Sequence, residues 1–262
     1  MDCRINGRRA LIAGSSAGIG RACAEALAHE GVDVFLVARS EETLAQTAAE
    51  IRNAGTRVEM LAADLSRAGE GERIVSAALE FLGGVDILIN NAGGPKPGSF
   101  ASLGDDDWQR AFDLNLMSAV RLTRGVLPGM IDRRWGRIVN ITSTSVKQPI
   151  DGLMLSNAMR MAVAGFAKTL SNEVGPHGIT VNTVAPGFTD TGRLNQIAES
   201  TATREETTIE RVQERWREEV PLRRIGRAEE IAAAVLFLAS EAGSYVNGVV
   251  LTVDGGRTKS SL

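Results

Sequence analysis

Short hydrophobic runs recur along the chain, each broken by glycine or a polar cluster. They lie at 9–13, 34–38, 57–62, 85–89, 137–141, 180–184 and 249–253. Runs this short and this apolar predict strands buried on both faces, as in a parallel sheet. Between them, apolar positions recur at helical spacing. Ala22, Ala26 and Leu27 mark one helix, and Ile74, Ala77, Ala78 and Phe81 another. Trp108, Phe112, Leu116 and Val120 give the apolar face of a long helix expected from about Asp105 to Met130. Further helices are predicted over 41–53, 153–170 and 228–238. Strands alternate with helices throughout, nothing repeats and no linker divides the chain. The pattern therefore predicts a single α/β domain over 1–262, built on one doubly wound parallel sheet.

One stretch breaks the rhythm. From Thr189 to Val220 the chain is rich in Glu, Arg and Thr, and Ile209, Val212, Trp216 and Val220 form a single apolar stripe on a highly charged helix. This insertion at about 189–220 reads either as a mobile lid over a substrate site or as a solvated helix covering the domain.

Composition narrows the partners. With 29 basic and 32 acidic residues the net charge is −3, so no basic excess points to nucleic acid. No basic amphipathic stretch suggests a membrane surface, and no run of about 18 apolar residues suggests a span. Cys3 and Cys23 make neither a metal-ligand cluster nor a disulfide framework. No metal is expected, and a reducing cytoplasm is the simplest setting. The N-terminus lacks the apolar core of a signal peptide.

The strand ends carry the chemistry. Run 9–13 stops at Gly14-Ser15-Ser16-Ala17-Gly18-Ile19-Gly20 and a helix follows. Strand, glycine turn and helix make a dinucleotide-binding element, in which the backbone approaches a pyrophosphate at the helix N-terminus. The next strand ends at Ala38-Arg39, where a site for NAD would place an acid; an arginine there favours NADP(H) over NAD(H). Ser40 is an expected N-cap, with Glu41 and Glu42 in the first turn. Asp64-Leu65 ends the third strand, where the Asp holds an adenine edge or caps the next helix. Asn90-Asn91-Ala92-Gly93 ends the fourth, followed by a loop with Pro95 and Pro97. Asn115 sits within a predicted helix that it weakens slightly, which suggests a tertiary role.

In this order, the glycine turn, Asp64-Leu65, Asn90-Asn91-Ala92-Gly93, Asn115, Gly136 to Ser143, Pro186-Gly187 and Val253-Asp254-Gly255-Gly256 resemble the short-chain dehydrogenase/reductase family, in its 3-oxoacyl-(acyl-carrier-protein)-reductase-like branch. The resemblance covers essentially the whole chain. It implies a Rossmann fold with a seven-stranded parallel sheet and a homotetramer built partly on the helix at 153–170. It assigns Ser143 to hold a substrate oxygen and Asn115 to anchor a proton-relay water. It places Gly14, Ser15, Ser16, Gly18, Ile19, Asp64, Leu65, Asn91, Ala92 and Gly93 against the cofactor, with Pro186, Gly187 and Thr189 near the nicotinamide.

The family carries a tyrosine 13 residues after this serine and a lysine four further on. Here those positions hold Ser156 and Arg160, and the Gly165-Phe166 pair that follows keeps the family register. A tyrosine phenol, of ordinary pKa ~10, is the family's proton donor. Serine is a poor proton source, and arginine stays charged and relays no proton. Arg160 is still suited to contact ribose hydroxyls. Three readings follow: an NADP(H)-dependent oxidoreductase acting on a small carbonyl or alcohol substrate with an atypical site, in which a water or Lys147 protonates; an NADP(H)-binding protein with little turnover; or a lyase or isomerase on the same fold. The lone Tyr245 is no evident substitute. Arg193, Arg204 and Arg211 in the insertion are candidates to meet an anionic ligand.

Overall fold

The computed structural model describes residues 2–260. Seven strands form one sheet: β1 (Arg9–Ala13), β2 (Asp33–Ala38), β3 (Val58–Ala62), β4 (Ile87–Asn90), β5 (Gly136–Ile141), β6 (Ile179–Pro186) and β7 (Val250–Val253). Their order is β3-β2-β1-β4-β5-β6-β7, with every pair parallel. The order reverses between β1 and β4, so a crevice opens beyond their carboxyl ends, where open α/β sheets take ligands. All seven predicted strands are present. The sixth runs longer than its apolar core, because Ala185 and Pro186 continue the pairing with β7.

Side-chain alternation divides the core in two. Ile12, Val34, Leu36, Ile87 and Ile89 pack beneath α1 (Gly18–His29), α2 (Glu41–Arg52) and α9 (Ala228–Ala239). Leu11, Ala13, Phe35, Val37 and Leu88 point the other way, under α3 (Glu70–Leu82), α5 (Ser118–Arg133) and α6 (Met154–Val174). Neighbouring strand residues thus serve opposite layers, which is why each run is apolar at nearly every position. The Ser40 hydroxyl caps α2 by accepting from the Thr43 amide, as its position predicts.

Two expectations change. The long helix is three pieces: α4 (Asp105–Ala111), a π-helical turn over Phe112–Met117, and α5. The wider turn buries Asn115, whereas Phe112, expected on the apolar face, is exposed. Segment 189–220 holds two helices, α7 (Gly192–Arg204) and α8 (Ile209–Glu219). They share a small cluster of Leu194, Ala198, Ala202, Val212 and Trp216, separate from the main core. Ile209 lies outside that cluster and is exposed, so the buried stripe begins at Val212. No helix among the described residues is long and apolar enough to cross a membrane.

Candidate active site

The glycine turn is built for close approach. Gly14 has φ +63°, and a Cβ there would lie 2.1 Å from the Asn91 carbonyl oxygen. Asn91 Nδ2 in turn donates to the Gly14 carbonyl at 3.1 Å, tying the end of β4 to the turn. Ser15 faces inward: its amide donates to Val37 O, and its hydroxyl bonds both Val37 N and Val37 O. The cofactor contact expected of Ser15 is therefore not available to its hydroxyl, which holds β1 to β2. Ser16 and Ile19 are half-buried at the turn, and α1 starts at Gly18 with no side-chain cap and no acid in its first turn.

Arg39 is exposed at the end of β2. Asp64 accepts from the Ser66 amide at 3.0 Å and the Ser66 hydroxyl at 2.7 Å, which closes a local turn; it does not cap α3, whose N-cap is Gly69. Burial pushes its carboxyl up, but the Ser66 bonds and the charges of Arg39 and Arg67 hold it below the ordinary value.

At the ends of β4 and β5, Leu65, Asn91, Ala92, Asn115 and Arg160 line one small cavity of about 10 Å3. Asn115 Nδ2 donates to Gly93 O at 2.9 Å. Arg160 Nη1 donates to Ile141 O at 2.8 Å and Nη2 to Ala92 O at 3.2 Å. Arg160 Nε, Asn115 Oδ1 and Asn90 Oδ1 are buried without partners, and all three residues border this cavity. Its volume suits a single water. Burial lowers the Arg160 guanidinium to about 10, and the charge of Arg193 adds to the effect. It stays charged at neutral pH.

A second, open cavity of about 530 Å3 lies beyond β5 and β6, walled by Ser143, Pro186, Gly187, Leu194, Trp216 and Arg257. The Ser143 hydroxyl accepts from the Ser145 amide at 3.2 Å. Thr189 is buried, and its hydroxyl donates to Gly187 O at 3.2 Å. The sequence-predicted residues thus fall into two groups: Asn115 and Arg160 at the small cavity, Ser143 at the large one. Ser156 and Lys147 border neither. Ser156 is buried on α6, and Tyr245 is fully exposed.

Whole-chain comparisons decide the family. The model described as enoyl-(acyl carrier protein) reductase matches residues 13–258. The 3-oxoacyl-(acyl-carrier-protein) reductase of Aquifex aeolicus is 35% identical over 257 residues, covering 98% of this chain and 99% of the relative. The chain belongs to the short-chain dehydrogenase/reductase family. Among solved members, L-sorbose reductase of Gluconobacter frateurii, complexed with NADPH and L-sorbose, superposes with a TM-score of 0.93 at 35% identity, covering 99% of this chain and 100% of that one. An actinorhodin polyketide ketoreductase variant with NADPH also gives 0.93, at 36% identity over 97% of this chain and 98% of that one. These relatives are oxidoreductases, and the Rossmann fold and seven-stranded parallel sheet of this chain match theirs.

Three contributors to the open cavity have no family motif to announce them. Phe188 stacks on Trp216 with ring centroids 4.8 Å apart, and the Arg257 guanidinium lies 4.1 Å from the centre of the Phe188 ring. The apolar stripe of α8 gave the only signal for Trp216.

Proposed function

We propose that this chain is an NADP(H)-dependent oxidoreductase that moves a hydride between nicotinamide and the carbon of a carbonyl or alcohol. The substrate is of 3-oxoacyl type or a small ketone, and the site works without a tyrosine acid. One observation carries the reading: a serine-lined cavity opens on the same sheet edge as an uncapped, acid-free helix N-terminus at the β1/β4 crevice.

The residues fit the cofactor. The first amides of α1 have no side-chain acceptor, which suits a pyrophosphate. Arg39, with Ala38 beside it and no acid at the strand end, suits a 2′-phosphate. The solved relatives that carry NADPH support the same preference.

The bound cofactor supplies the hydride. Ser143 presents its hydroxyl to the substrate oxygen and orients it. Ser156 and Arg160 stand where the family's tyrosine and lysine stand, on the register of Ser143 and of Gly165-Phe166. Arg160 uses both Nη groups to hold the ends of β4 and β5, so it braces the site and moves no proton. The proton then comes from water in the open cavity rather than through α6. Segment 189–220 forms the cavity's outer wall and acts as its lid. The exposed Phe112, Met154 and Met161 support burial in a homotetramer. Sedimentation checks that assembly.

NADPH absorbance followed against β-keto thioesters, ketones and sugars tests the function. Consumption with any of them is the expected result. Tight NADPH binding with no consumption indicates a binding protein, and product without cofactor turnover indicates a lyase or isomerase.

A further inference from the structure

Arg160 and Arg193 lie close enough that the charge of one acts on the other, yet neither forms an ion pair among the described residues. The arginines that line the open cavity, by contrast, are ion-paired. Arg204 and Arg215 both pair with Glu205, at 3.1 and 2.8 Å, and Arg257 pairs with Glu219 at 3.0 Å.

Arg193 occupies a particular place. It lies in the first turn of α7 and donates from Nη2 to Pro95 O at 2.6 Å, linking the segment after β6 to the loop after β4. Two residues earlier, Thr191 packs against the glycine turn: a Cβ on Gly18 would meet the Thr191 methyl at 3.0 Å. Residues 191–193 therefore bridge the crevice between β1 and β4. Arg193 Nε and Nη1 make no hydrogen bond among the described residues and are not sealed from solvent. Behind it, Arg160 is 8% exposed and its Nε is buried without an acceptor.

Buried charge is ordinarily paired within the protein or met by a ligand. A guanidinium with one edge anchored and its other donors free presents the planar fork that binds carboxylate or phosphate. Arg193 is such a cation; Arg160, with both Nη groups spent on carbonyls and its Nε buried, adds a second unpaired charge nearby.

We propose that Arg193, with Arg160 behind it, is a receptor for an oxyanion, a carboxylate or a phosphate, entering the β1/β4 crevice. This deepens the oxidoreductase reading and rests on it for the ligand's identity: the oxyanion belongs either to a carboxylate-bearing carbonyl substrate or to the cofactor. Arg193 is the binding group. Arg160 acts through its charge while it braces the strand ends.

Three titrations on the full chain test this: inorganic phosphate on the protein alone, NADPH on the protein alone, and 2-oxobutyrate on the NADP+-loaded protein. Each is run on the wild type, Arg193→Met, Arg193→Lys and, as a control, the exposed Arg211→Met. Arg193→Met is expected to weaken at least one probe by about tenfold, the size of one charge-assisted hydrogen bond. Arg193→Lys should recover part of the loss and Arg211→Met should show none. A fall for NADPH assigns the site to the cofactor's phosphate. A fall for 2-oxobutyrate with NADPH unchanged assigns it to the substrate. Affinities of Arg193→Met within about twofold of wild type for all three probes, with its melting curve intact, overturn the proposal, as does a wild type that binds none of them. A wild type that binds phosphate but not NADPH removes the oxidoreductase reading alone, and the phosphate titration of Arg193→Met then decides the receptor.

Discussion

The proposed water-supplied proton is tested most directly by Ser156→Tyr with Arg160→Lys, the pair that the family resemblance assigns to these two positions. Arg160 bridges two carbonyls, Ile141 O at 2.8 Å and Ala92 O at 3.2 Å. A charge-assisted hydrogen bond contributes about 1.5–3 kcal/mol. A lysine has one nitrogen and reaches one of the two carbonyls, so about 2 kcal/mol is lost. Removing the unpartnered buried Nε returns about 1 kcal/mol. Arg160→Lys alone, a net loss of about 1 kcal/mol, is therefore expected to lower Tm by roughly 2–4 °C for a chain of this size and to leave ketone reduction unimproved. The phenol of Ser156→Tyr, set on the same face one turn before an ammonium, restores a tunable acid. General acid catalysis is worth about 10² to 10⁴ in rate, or roughly 3–5 kcal/mol of barrier. The double variant should gain about that much in NADPH-dependent reduction of a simple ketone. The assay is the fall of NADPH absorbance, with cofactor affinity and melting measured alongside. A folded double variant with wild-type NADPH affinity and less than about a tenfold gain refutes the reasoning.

Other outcomes follow from the same structure. Arg39→Ala should raise the Kd for NADPH by about tenfold and leave that for NADH nearly unchanged, in fluorescence titrations; equal effects on both cofactors contradict the role given to Arg39. Asp86, 2% exposed, accepts from Arg9 and Arg133. Burial pushes its carboxyl up, but Arg9 and Arg133 outweigh that and hold it below the ordinary value. Its contribution is thus fully present above the ordinary carboxylate range and is lost as pH falls below about 4. Asp86→Asn should cost about 2 kcal/mol in urea unfolding at neutral pH, the two arginines being partly solvated, and should flatten the acid limb; an unchanged limb counts against it. Trp216→Ala should speed hydrogen exchange across α7 and α8 while β1, β4 and β5 stay protected, because the α7–α8 cluster is separate from the main core. Equal acceleration in the sheet contradicts that separation.

The sheet was legible because its signal is one-dimensional. A strand buried on both faces is apolar at every position, and Leu11 and Ile12 read alike although they serve opposite layers. The glycine turn was legible for a similar reason, since close packing at Gly14 leaves no room for a side chain. What escaped the sequence depends on contacts distant along the chain. Helix α7 buries just Leu194, Ala198 and Ala202 fully, with Ile197 partly, in a cluster completed by α8, so its periodicity was lost in a charged segment. The π-turn at 112–117 inserts one residue into the helical period, and extrapolating the regular spacing put Phe112 inside and missed how deeply Asn115 is buried. Ser15 gave no sign in the sequence that its hydroxyl bonds Val37, 22 residues away. Arg160 showed its identity in the sequence, but not that both Nη groups turn onto main-chain carbonyls.

The stack of Arg257, Phe188 and Trp216 also gives the protein an optical handle. Of its three tryptophans, Trp135 is sandwiched between Arg8 and Arg137, at 3.8 and 4.4 Å from the ring, on the side of the molecule away from the strand carboxyl ends. Trp216 alone lies in the wall of the open cavity. With Trp108 and Trp135 replaced by phenylalanine, the emission of Trp216 becomes a single-site reporter. Its wavelength follows the water admitted to the cavity. The lid movement proposed for α7 and α8 can then be tested in a stopped-flow instrument on the unlabelled protein.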